Sequence, residues 1–437
     1  MRIKNYFKNF TVLAFFLFTF NSFTFAQTPN LTAPREQKLL NGLKLLVWAN
    51  PGAEKVSVKL RIHSGSAFDP LAKEGVMTLL SEILFPNEVA REYFEQDLGG
   101  SLDVVSNYDY IQINATGGND KILEILQALA GAVSTPQIDK DTTAKVRTAN
   151  LEKIKELEKN PAYLADVAVA KRLFGSYPYG RPKFGTTETV SKLDFADILL
   201  AKQKFLTADN ATLAVSGNVK FDFVYRAARR LFGGWEKADK KIPATFTQPD
   251  APKTGMPVFV SPVEKTSEFR FALRGPARND KDIYASQILE RILQNRLQMR
   301  EGKQAFVRQN THFLPGFFVF GVSQWFVDSI KKEGNQISLP VTDGYQENFL
   351  KDPVKQEEFD KAKAEFLSAL NQTDILDFWL DVDTFKLAPF KTEWQNAQNV
   401  SIADSQRVLE KLQKEAVAYI LVFSGKKSDD ATSTSKE

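Results

Sequence analysis

The sequence predicts an α+β protein made of two similar halves. Residues 56–62 and 268–273 alternate apolar and polar side chains, which is typical of half-buried strands. Each is followed by a loop with Asp-Pro or Gly-Pro and then by a helical stretch. Residues 211–217 and 419–425 are apolar strands that both close on Ser-Gly. We therefore expect an internal repeat of one α+β unit, with chance similarity between short strands as the alternative.

A proline-rich linker at 238–257 separates the two halves. Proline lacks a backbone donor and fixes φ, so the four prolines of this segment exclude a helix or a central strand. We predict the following organisation: signal peptide 1–26, N-terminal domain 27–237, linker 238–257, C-terminal domain 258–426 and polar tail 427–437.

The N-terminal segment has the pattern of a secretory signal peptide. Arg2, Lys4 and Lys8 precede a short apolar stretch, and Thr-Phe-Ala at 24–26 forms a small-x-small cleavage pattern. The stretch is too short for a stable anchor, although an uncleaved anchor is the alternative. No later run approaches 18 consecutive apolar residues. We expect an exported, most simply periplasmic, protein without stable membrane insertion after cleavage.

Composition excludes several classes of chemistry. The chain has 437 residues and no cysteine, which rules out disulfides, thiolate metal sites and cysteine nucleophiles. The two histidines, His63 and His312, lie far apart and leave little material for an imidazole zinc site. The net charge is +4, and the signal peptide carries three of the 57 basic residues and none of the 53 acidic ones. The remaining charge of +1 predicts no affinity for nucleic acid.

One helix is predicted with particular clarity at 75–85. Its apolar residues follow the spacing i, i+3, i+4, i+7 and i+8, which places them in one stripe facing a core. They are Val76, Leu79, Leu80, Ile83 and Leu84.

The segments around this helix carry a family resemblance. Leu-Gly-Gly-Ser-Leu-Asp at 98–103 precedes an alternating strand at 108–114, and a leucine-patterned helix then ends before Pro136. Further segments follow at 151–161, 177–182 (Tyr-Pro-Tyr-Gly-Arg-Pro), 209–211, 216–219 and 232–235 (Phe-Gly-Gly-Trp). Their order and spacing resemble the insulinase/pitrilysin-type (inverzincin) zinc peptidases, especially short members such as mitochondrial processing peptidase subunits. The resemblance spans nearly the whole mature chain and is stronger before residue 258.

The resemblance implies two homologous domains, each a mostly antiparallel sheet packed against helices, arranged as half of a clamshell. Catalytic members carry H-x-x-E-H on the first helix. Two imidazoles at i and i+4 share a helix face and bind one zinc, while the glutamate takes a proton from the metal-bound water.

In this sequence the motif is degenerate. The two histidine positions hold Thr78 and Glu82, the base position holds Ser81, and the position of the third ligand holds Lys153. An ammonium repels a divalent cation, so the resemblance implies no metal or other cofactor on this chain. Zinc is expected only in a partner subunit. We also hypothesise that Glu82 and Lys153 form an ion pair across the former site.

Two further elements match substrate-binding parts of the family. Arg300 matches an arginine that holds substrate, and Phe306 falls near a tyrosine position, so that the hydroxyl is missing. A surface arginine in a helical charge pattern is the alternative. An edge strand that adds substrate as an extra β-strand matches Asp103, Val104, Val105, Ser106, Asn107 and Tyr108. A plain structural edge is the alternative here.

These features predict a pseudo-peptidase: a non-catalytic subunit of an exported peptidase of this family. It would pair with a zinc-bearing homologue as a heterodimer and form the opposite wall of a chamber for peptides or unfolded protein. The alternative is a stand-alone peptide-binding or chaperone-like module without proteolysis. A third hypothesis is new chemistry at Ser81, Glu82 and Lys153, because serine and lysine can form a hydrolytic pair.

Overall fold

The computed structural model describes residues 33–239, 246–247, 249–253, 255–261, 263, 266–324, 331–333, 336–338 and 349–424. The predicted signal peptide and the polar tail lie outside the described residues. All the described residues belong to one compact unit.

The first sheet is built from strands of the N-terminal half: β1 Arg35–Lys38, β2 Lys44–Ala49, β3 Lys55–Ile62, β4 Ser101–Ser106, β5 Ile111–Gly118 and β6 Ala211–Gly217. Their order is β1-β2-β6-β3-β5-β4. All neighbours are antiparallel except β2 and β6. The strand predicted at 108–114 is wrong at its start. The Asn107 side chain accepts hydrogen bonds from the backbone N–H groups of Asp109 and Tyr110, and this turn delays β5 to Ile111.

The strands β11 Lys331–Glu333 and β12 Gln336–Ser338 form a separate hairpin. The second sheet contains the five other strands of the C-terminal half: β7 Val258–Val260, β8 Ser267–Arg274, β9 Ala305–Asn310, β10 Phe317–Ser323 and β13 Ala418–Phe423. Its order is β7-β13-β8-β10-β9, with only β7 and β13 parallel. The run β2-β6-β3-β5-β4 of the first sheet has the same connectivity and the same directions. The predicted α+β class is confirmed, and the repeat is visible in this shared strand order.

Helices fill the segments between the strands. The N-terminal half has α1 Val76–Ile83, α2 Val89–Gln96, α3 Ile122–Ser134, α4 Lys140–Glu158, α5 Pro161–Phe174, α6 Thr187–Ser191, α7 Phe195–Phe205 and α8 Phe221–Phe232. The C-terminal half has α9 Ile283–Glu301, α10 Gln356–Asn371, α11 Ile375–Phe385, α12 Phe390–Gln398 and α13 Ile402–Leu412. Local signals explain several starts: Asn160 caps α5 and is followed by proline, and Asp194 begins a capping box on α7.

One face of each sheet packs against helices of its own half. In β3 every second residue is fully buried on that face, and the equivalent residues of β8 are aromatic or leucine. They are Val56, Val58, Leu60 and Ile62 in β3, and Phe269, Phe271 and Leu273 in β8. The first set joins the core that contains α1 and α3, and the second joins the core that contains α9.

The other face of each sheet is covered by a helix from the opposite half. Helix α11 lays Leu376 and Leu380 on the first sheet, where they contact Leu46, Trp48 and Ala214. Helix α5 covers the second sheet, and its Ala165, Val169 and Leu173 pack with Ala272, Val319 and Ile420. The two halves therefore exchange one helix each.

This exchange corrects the prediction of half-buried strands. Arg61 in β3 and Arg270 in β8 are each 1% exposed although they occupy the polar positions of the alternation. They lie beneath the helix from the opposite half rather than in solvent. The alternation therefore marks a polar interface between the halves.

The described residues of the linker form no helix and no strand. Phe246 nevertheless packs its ring edge-on against Phe68 and Tyr177 of the N-terminal half. The domain boundaries proposed from the sequence stay a prediction. In the described part of the chain, no helix has the length and apolar character needed to cross a bilayer.

Candidate functional site

The start of α1 is held by a buried carboxylate and a glycine. The two carboxylate oxygens of Asp69 accept hydrogen bonds from the backbone N–H groups of Gly75 and Met77, each at 2.8 Å. Gly75 has φ of 103°, and a Cβ there would lie 2.8 Å from the carbonyl oxygen of Phe184. Glycine is required on both grounds. The first turn of α1 is thereby pressed against the segment at 183–185.

The hydroxyls of Thr78 and Ser81 are engaged with backbone carbonyls. Thr78 Oγ1 donates to the carbonyl of Lys183 at 3.0 Å, and Ser81 Oγ donates to the carbonyl of Thr78 at 2.7 Å. Both side chains are buried. Ser81 is therefore directed along its own helix, with its proton given to a carbonyl rather than to a base. This geometry does not support Ser81 as a nucleophile activated by Lys153.

Glu82 and Lys153 lie in one electrostatic neighbourhood but do not touch. Burial raises the pKa of Glu82 to about 6, and the Lys153 ammonium offsets part of that rise. Lys153 Nζ instead sits 4.4 Å from the centre of the Phe184 ring. Among the ion pairs formed by the described residues, none joins Glu82 to Lys153. The hypothesis of a direct ion pair across the site is therefore not borne out.

A second ammonium lies against the same ring. Lys183 Nζ is 4.3 Å from the centre of Phe184 and its side chain is partly buried. Burial and the nearby Lys153 charge both lower the pKa of Lys183. Sequence reasoning missed Lys183 and Phe184, which directly follow the segment at 177–182. The available signal was their adjacency to that segment, since no periodic pattern marks them.

These residues do not fit a zinc ion. A tetrahedral zinc site needs imidazole, thiolate or carboxylate donors. The four positions supply one carboxylate, two hydroxyls that already donate to carbonyls, and an ammonium, with the Lys183 ammonium close by. Across the ranges that the structure describes, no group of three or more His, Asp or Glu residues could hold a metal ion.

Arg300 and Phe306 occupy different settings. Arg300 is exposed in the last turn of α9, and its Nε lies 3.1 Å from a carboxylate oxygen of Glu301. Phe306 lies in β9 and is partly buried over Gly321 of β10. The Arg270 guanidinium stands 4.9 Å from the centre of the Phe306 ring. Substrate contact by Arg300 or Phe306 stays a prediction.

Among the strands that the structure describes, β4 forms one end of the first sheet and pairs with β5 alone. Asp103 and Val105 are exposed, while Val104 and Ser106 are partly buried. Asn107 and Tyr108 were expected in this strand but follow it, because the Asn107 side chain closes the turn. Peptide addition along β4 stays a prediction.

A cavity of about 240 Å³ lies where β4 ends. Its lining includes Lys183, Phe184, Tyr108, Tyr163, Arg181 and Arg308. The Tyr108 hydroxyl donates to the carbonyl of Arg181 at 2.7 Å, which ties the end of β4 to the segment that carries Lys183. The end of the edge strand, the cavity and Lys183 are therefore neighbours.

Both histidines serve contacts between the halves. His63 places its ring nitrogens 2.9 Å from Thr384 Oγ1 and 3.0 Å from Thr212 Oγ1. His312 Nδ1 lies 2.8 Å from the Asp109 carboxylate, and its ring stacks on Tyr179 at 4.0 Å between centres. Neither histidine is near the degenerate positions on α1.

Comparisons with known proteins agree with this architecture. The family description "Insulinase (Peptidase family M16)" matches residues 44–187, and "Peptidase M16 inactive domain" matches residues 192–366. A Rickettsia felis protein named as an uncharacterized zinc protease is 25% identical over 217 residues, 48% of this chain and 52% of that protein. The chain thus spans about half the length of the curated relatives it matches.

Solved structures share the fold. The peptidase M16 inactive domain from Pseudomonas fluorescens superposes with a TM-score of 0.77 at 18% identity, over 91% of this chain and 98% of that one. The periplasmic protease PqqL from Escherichia coli has a TM-score of 0.67 at 14% identity. That match covers 93% of this chain and 49% of PqqL.

Proposed function

The chain belongs to the insulinase family of peptidases, and we propose that it is a non-catalytic subunit of an exported enzyme of that family. In this proposal a zinc-bearing homologue supplies the catalytic site. This chain supplies the opposite wall of a chamber that encloses a peptide or an unfolded protein.

The observation that carries the proposal is the joint replacement at Thr78, Ser81, Glu82 and Lys153. One altered ligand could change a metal preference. Here the base is absent, both hydroxyls donate to carbonyls, and the third ligand position carries a positive charge. Hydrolysis through zinc therefore requires another chain.

Pairing and export have separate support. The match to PqqL covers about half of that protein's chain, so one PqqL chain is long enough to hold two such units. In this proposal, two separate chains supply the two units. The pattern at 1–26 and the periplasmic location of PqqL both favour export.

The test is to purify this chain alone and together with a homologue from the same genome that carries intact H-x-x-E-H. The chain alone is expected to lack stoichiometric zinc and to cleave no unfolded substrate. The mixture is expected to elute as a one-to-one complex and to cleave faster than the homologue alone. Zinc-dependent cleavage by this chain alone would overturn the proposal.

The open edge of β4 favours the second candidate, a stand-alone peptide-binding module. A strand with one unpaired edge can accept an extended peptide through backbone hydrogen bonds without any catalysis. This candidate expects a monomer or homodimer that binds unstructured peptides, with no change in elution volume when the zinc-bearing homologue is added.

A further inference from the structure

We propose that Lys153, Lys183 and Phe184 form a site for a carboxylate of a bound peptide. By the family resemblance Lys153 occupies the position of a zinc ligand, so in this proposal two ammoniums stand near the place where catalytic relatives hold a metal cation. This inference deepens the proposed function, because it names the chemical group that the chain recognises. It rests on the proposed function only in assuming that the chain binds peptides.

The first argument is the uncompensated charge. Lys153 and Lys183 place their ammoniums 4.4 Å and 4.3 Å from the centre of one ring. Among the described residues, neither lysine has a carboxylate oxygen within ion-pair distance. Lys183 is partly buried and Lys153 is exposed. The Lys153 charge helps to lower the pKa of Lys183, so the two ammoniums repel each other and a bound anion would relieve that repulsion.

Several other cations with little exposure to solvent are paired with carboxylates. Lys44 lies 2.9 Å from Asp383, and Lys59 lies 2.6 Å from Asp377. Arg296 is 2.7 Å from Glu358. Lys183 is also partly buried but has no carboxylate oxygen within ion-pair distance among the described residues, and in this it differs from these three cations.

The second argument is space and access. The cavity of about 240 Å³ that Lys183 and Phe184 line can take a side chain or a chain terminus but no globular partner. Tyr108, which lies in the turn at the end of β4, lines the same cavity. A peptide added along β4 would therefore run toward Lys183 and the Phe184 ring, which Lys153 contacts as well.

The surrounding charges leave the site cationic. Glu82 is the carboxylate that acts on Lys153, and burial raises its pKa to about 6, so near neutral pH it offsets at most one of the two ammoniums. On the far side of the cavity Arg308 is already bound to Asp166 at 2.7 Å. Arg181 donates to the carbonyls of Asp69 and Ala67. The charge available to an anion is that of the lysine pair.

The test uses the full mature chain and fluorescence anisotropy. The probe is a fluorescein-labelled ten-residue peptide of serine, threonine and valine with one central glutamate and a free C-terminus. Two further peptides replace the glutamate by glutamine or the terminal acid by an amide. These arms distinguish a side-chain carboxylate from a C-terminal one.

Three variants complete the design. Lys153→Gln combined with Lys183→Gln is expected to weaken binding of the acidic peptide roughly tenfold or more, because charge-assisted contacts are lost. Lys153→Arg combined with Lys183→Arg keeps the charges and is expected to retain most of the affinity. Lys155→Gln is the matched control, since Lys155 is exposed on the same helix and pairs with Glu152 at 2.9 Å. Its expected effect is less than about twofold.

The outcomes are separable. Loss of affinity with either the glutamine or the amide peptide supports the site and identifies the source of the carboxylate. The proposal is overturned if the acidic peptide does not bind, if neither peptide change matters, or if the folded double glutamine variant binds as well as the unmodified chain. No partner is present in this assay, so failure of the heterodimer proposal would leave its result unchanged.

Discussion

Arg61 and Arg270 lie in interior strands of the two sheets, and each reaches an aspartate on a helix from the opposite half. Arg61 Nη1 is 2.6 Å from Asp381 on α11, and Arg270 Nε is 2.8 Å from Asp166 on α5. Both arginines are 1% exposed. A buried guanidinium that loses its partner is strongly destabilising, so these contacts couple each sheet to the other half.

Asp166→Ala is therefore expected to lower the free energy of unfolding by about 1–3 kcal/mol. The loss stays in that range because Glu268 still contacts Arg270 at 2.9 Å. Urea denaturation measures it. Asp222→Ala is the control, since that exposed carboxylate lies 3.8 Å from exposed Arg35 and should matter by less than about 0.5 kcal/mol. Equal effects of the two substitutions would contradict the coupling.

Acid stability should report on His63. Burial lowers the pKa of His63 to about 3, and the Asp383 carboxylate only partly opposes this. In the unfolded chain the pKa is about 6.5, so between these values the unfolded state binds one more proton. The contribution of neutral His63 to the free energy of unfolding is fully present above pH about 6.5. It is lost as the pH falls toward 3, by at most about 1.4 kcal/mol per pH unit.

His63→Gln removes this contribution and leaves the other histidine in place. The difference in unfolding free energy between the two proteins, measured by urea denaturation at several pH values, should shrink steadily as pH falls from 6.5. Parallel curves for the two proteins across that range would show that His63 is not held neutral by the fold.

A zinc site should be recoverable by substitution. Thr78→His, Ser81→Glu, Glu82→His and Lys153→Glu together place the family's donors on α1 and α4, and the variant is expected to take up about one zinc per chain. Equilibrium dialysis with metal analysis measures the uptake. The matched variant that keeps Lys153 should bind zinc more than roughly tenfold more weakly, because the ammonium replaces a ligand. A folded fourfold variant without zinc would show that α1 and α4 are not aligned as the resemblance implies.

Peptide addition along β4 predicts sensitivity to charge at the open edge. Val105 is 41% exposed in β4, and Val105→Asp should weaken binding of an unstructured neutral peptide about fivefold or more, since a charge on an edge strand opposes pairing. Anisotropy of a labelled peptide measures the change. Leu199→Asp is the control, since this side chain is 38% exposed and lies on helix α7 rather than in a strand. If both substitutions act equally, β4 is not the binding strand.

The local sequence pattern was sufficient to predict a helix or strand wherever the residues of that element show a clear periodicity. The apolar stripe of α1 predicted a buried helix, and Val76, Leu79, Leu80, Ile83 and Leu84 are all buried. The alternation at 56–62 predicted β3. The start of β5 was missed because the turn depends on one side chain, Asn107, that accepts two backbone hydrogen bonds. Such a turn has no periodic signature.

At the degenerate zinc-site positions, too, some features were predicted from the sequence and others came only from the structure. The family resemblance matched Thr78, Ser81 and Glu82 to the H-x-x-E-H positions, and i, i+3 and i+4 share a helix face. The matching of Lys153 came from the same resemblance. The approach of Lys183 and Phe184 depends on Gly75, where the backbone of two distant segments comes close enough to exclude a side chain.

The sequence by itself therefore determined the α+β class, the strands and helices with clear periodicity, and the replacement of both motif histidines on α1. These follow from residue type and spacing along one segment. Only the tertiary structure decided that each sheet is covered by a helix from the opposite half, that Arg61 and Arg270 are buried, and that Lys153 and Lys183 share one ring. Those contacts join residues far apart in the chain, and their energies arise from burial and charge that no single segment carries.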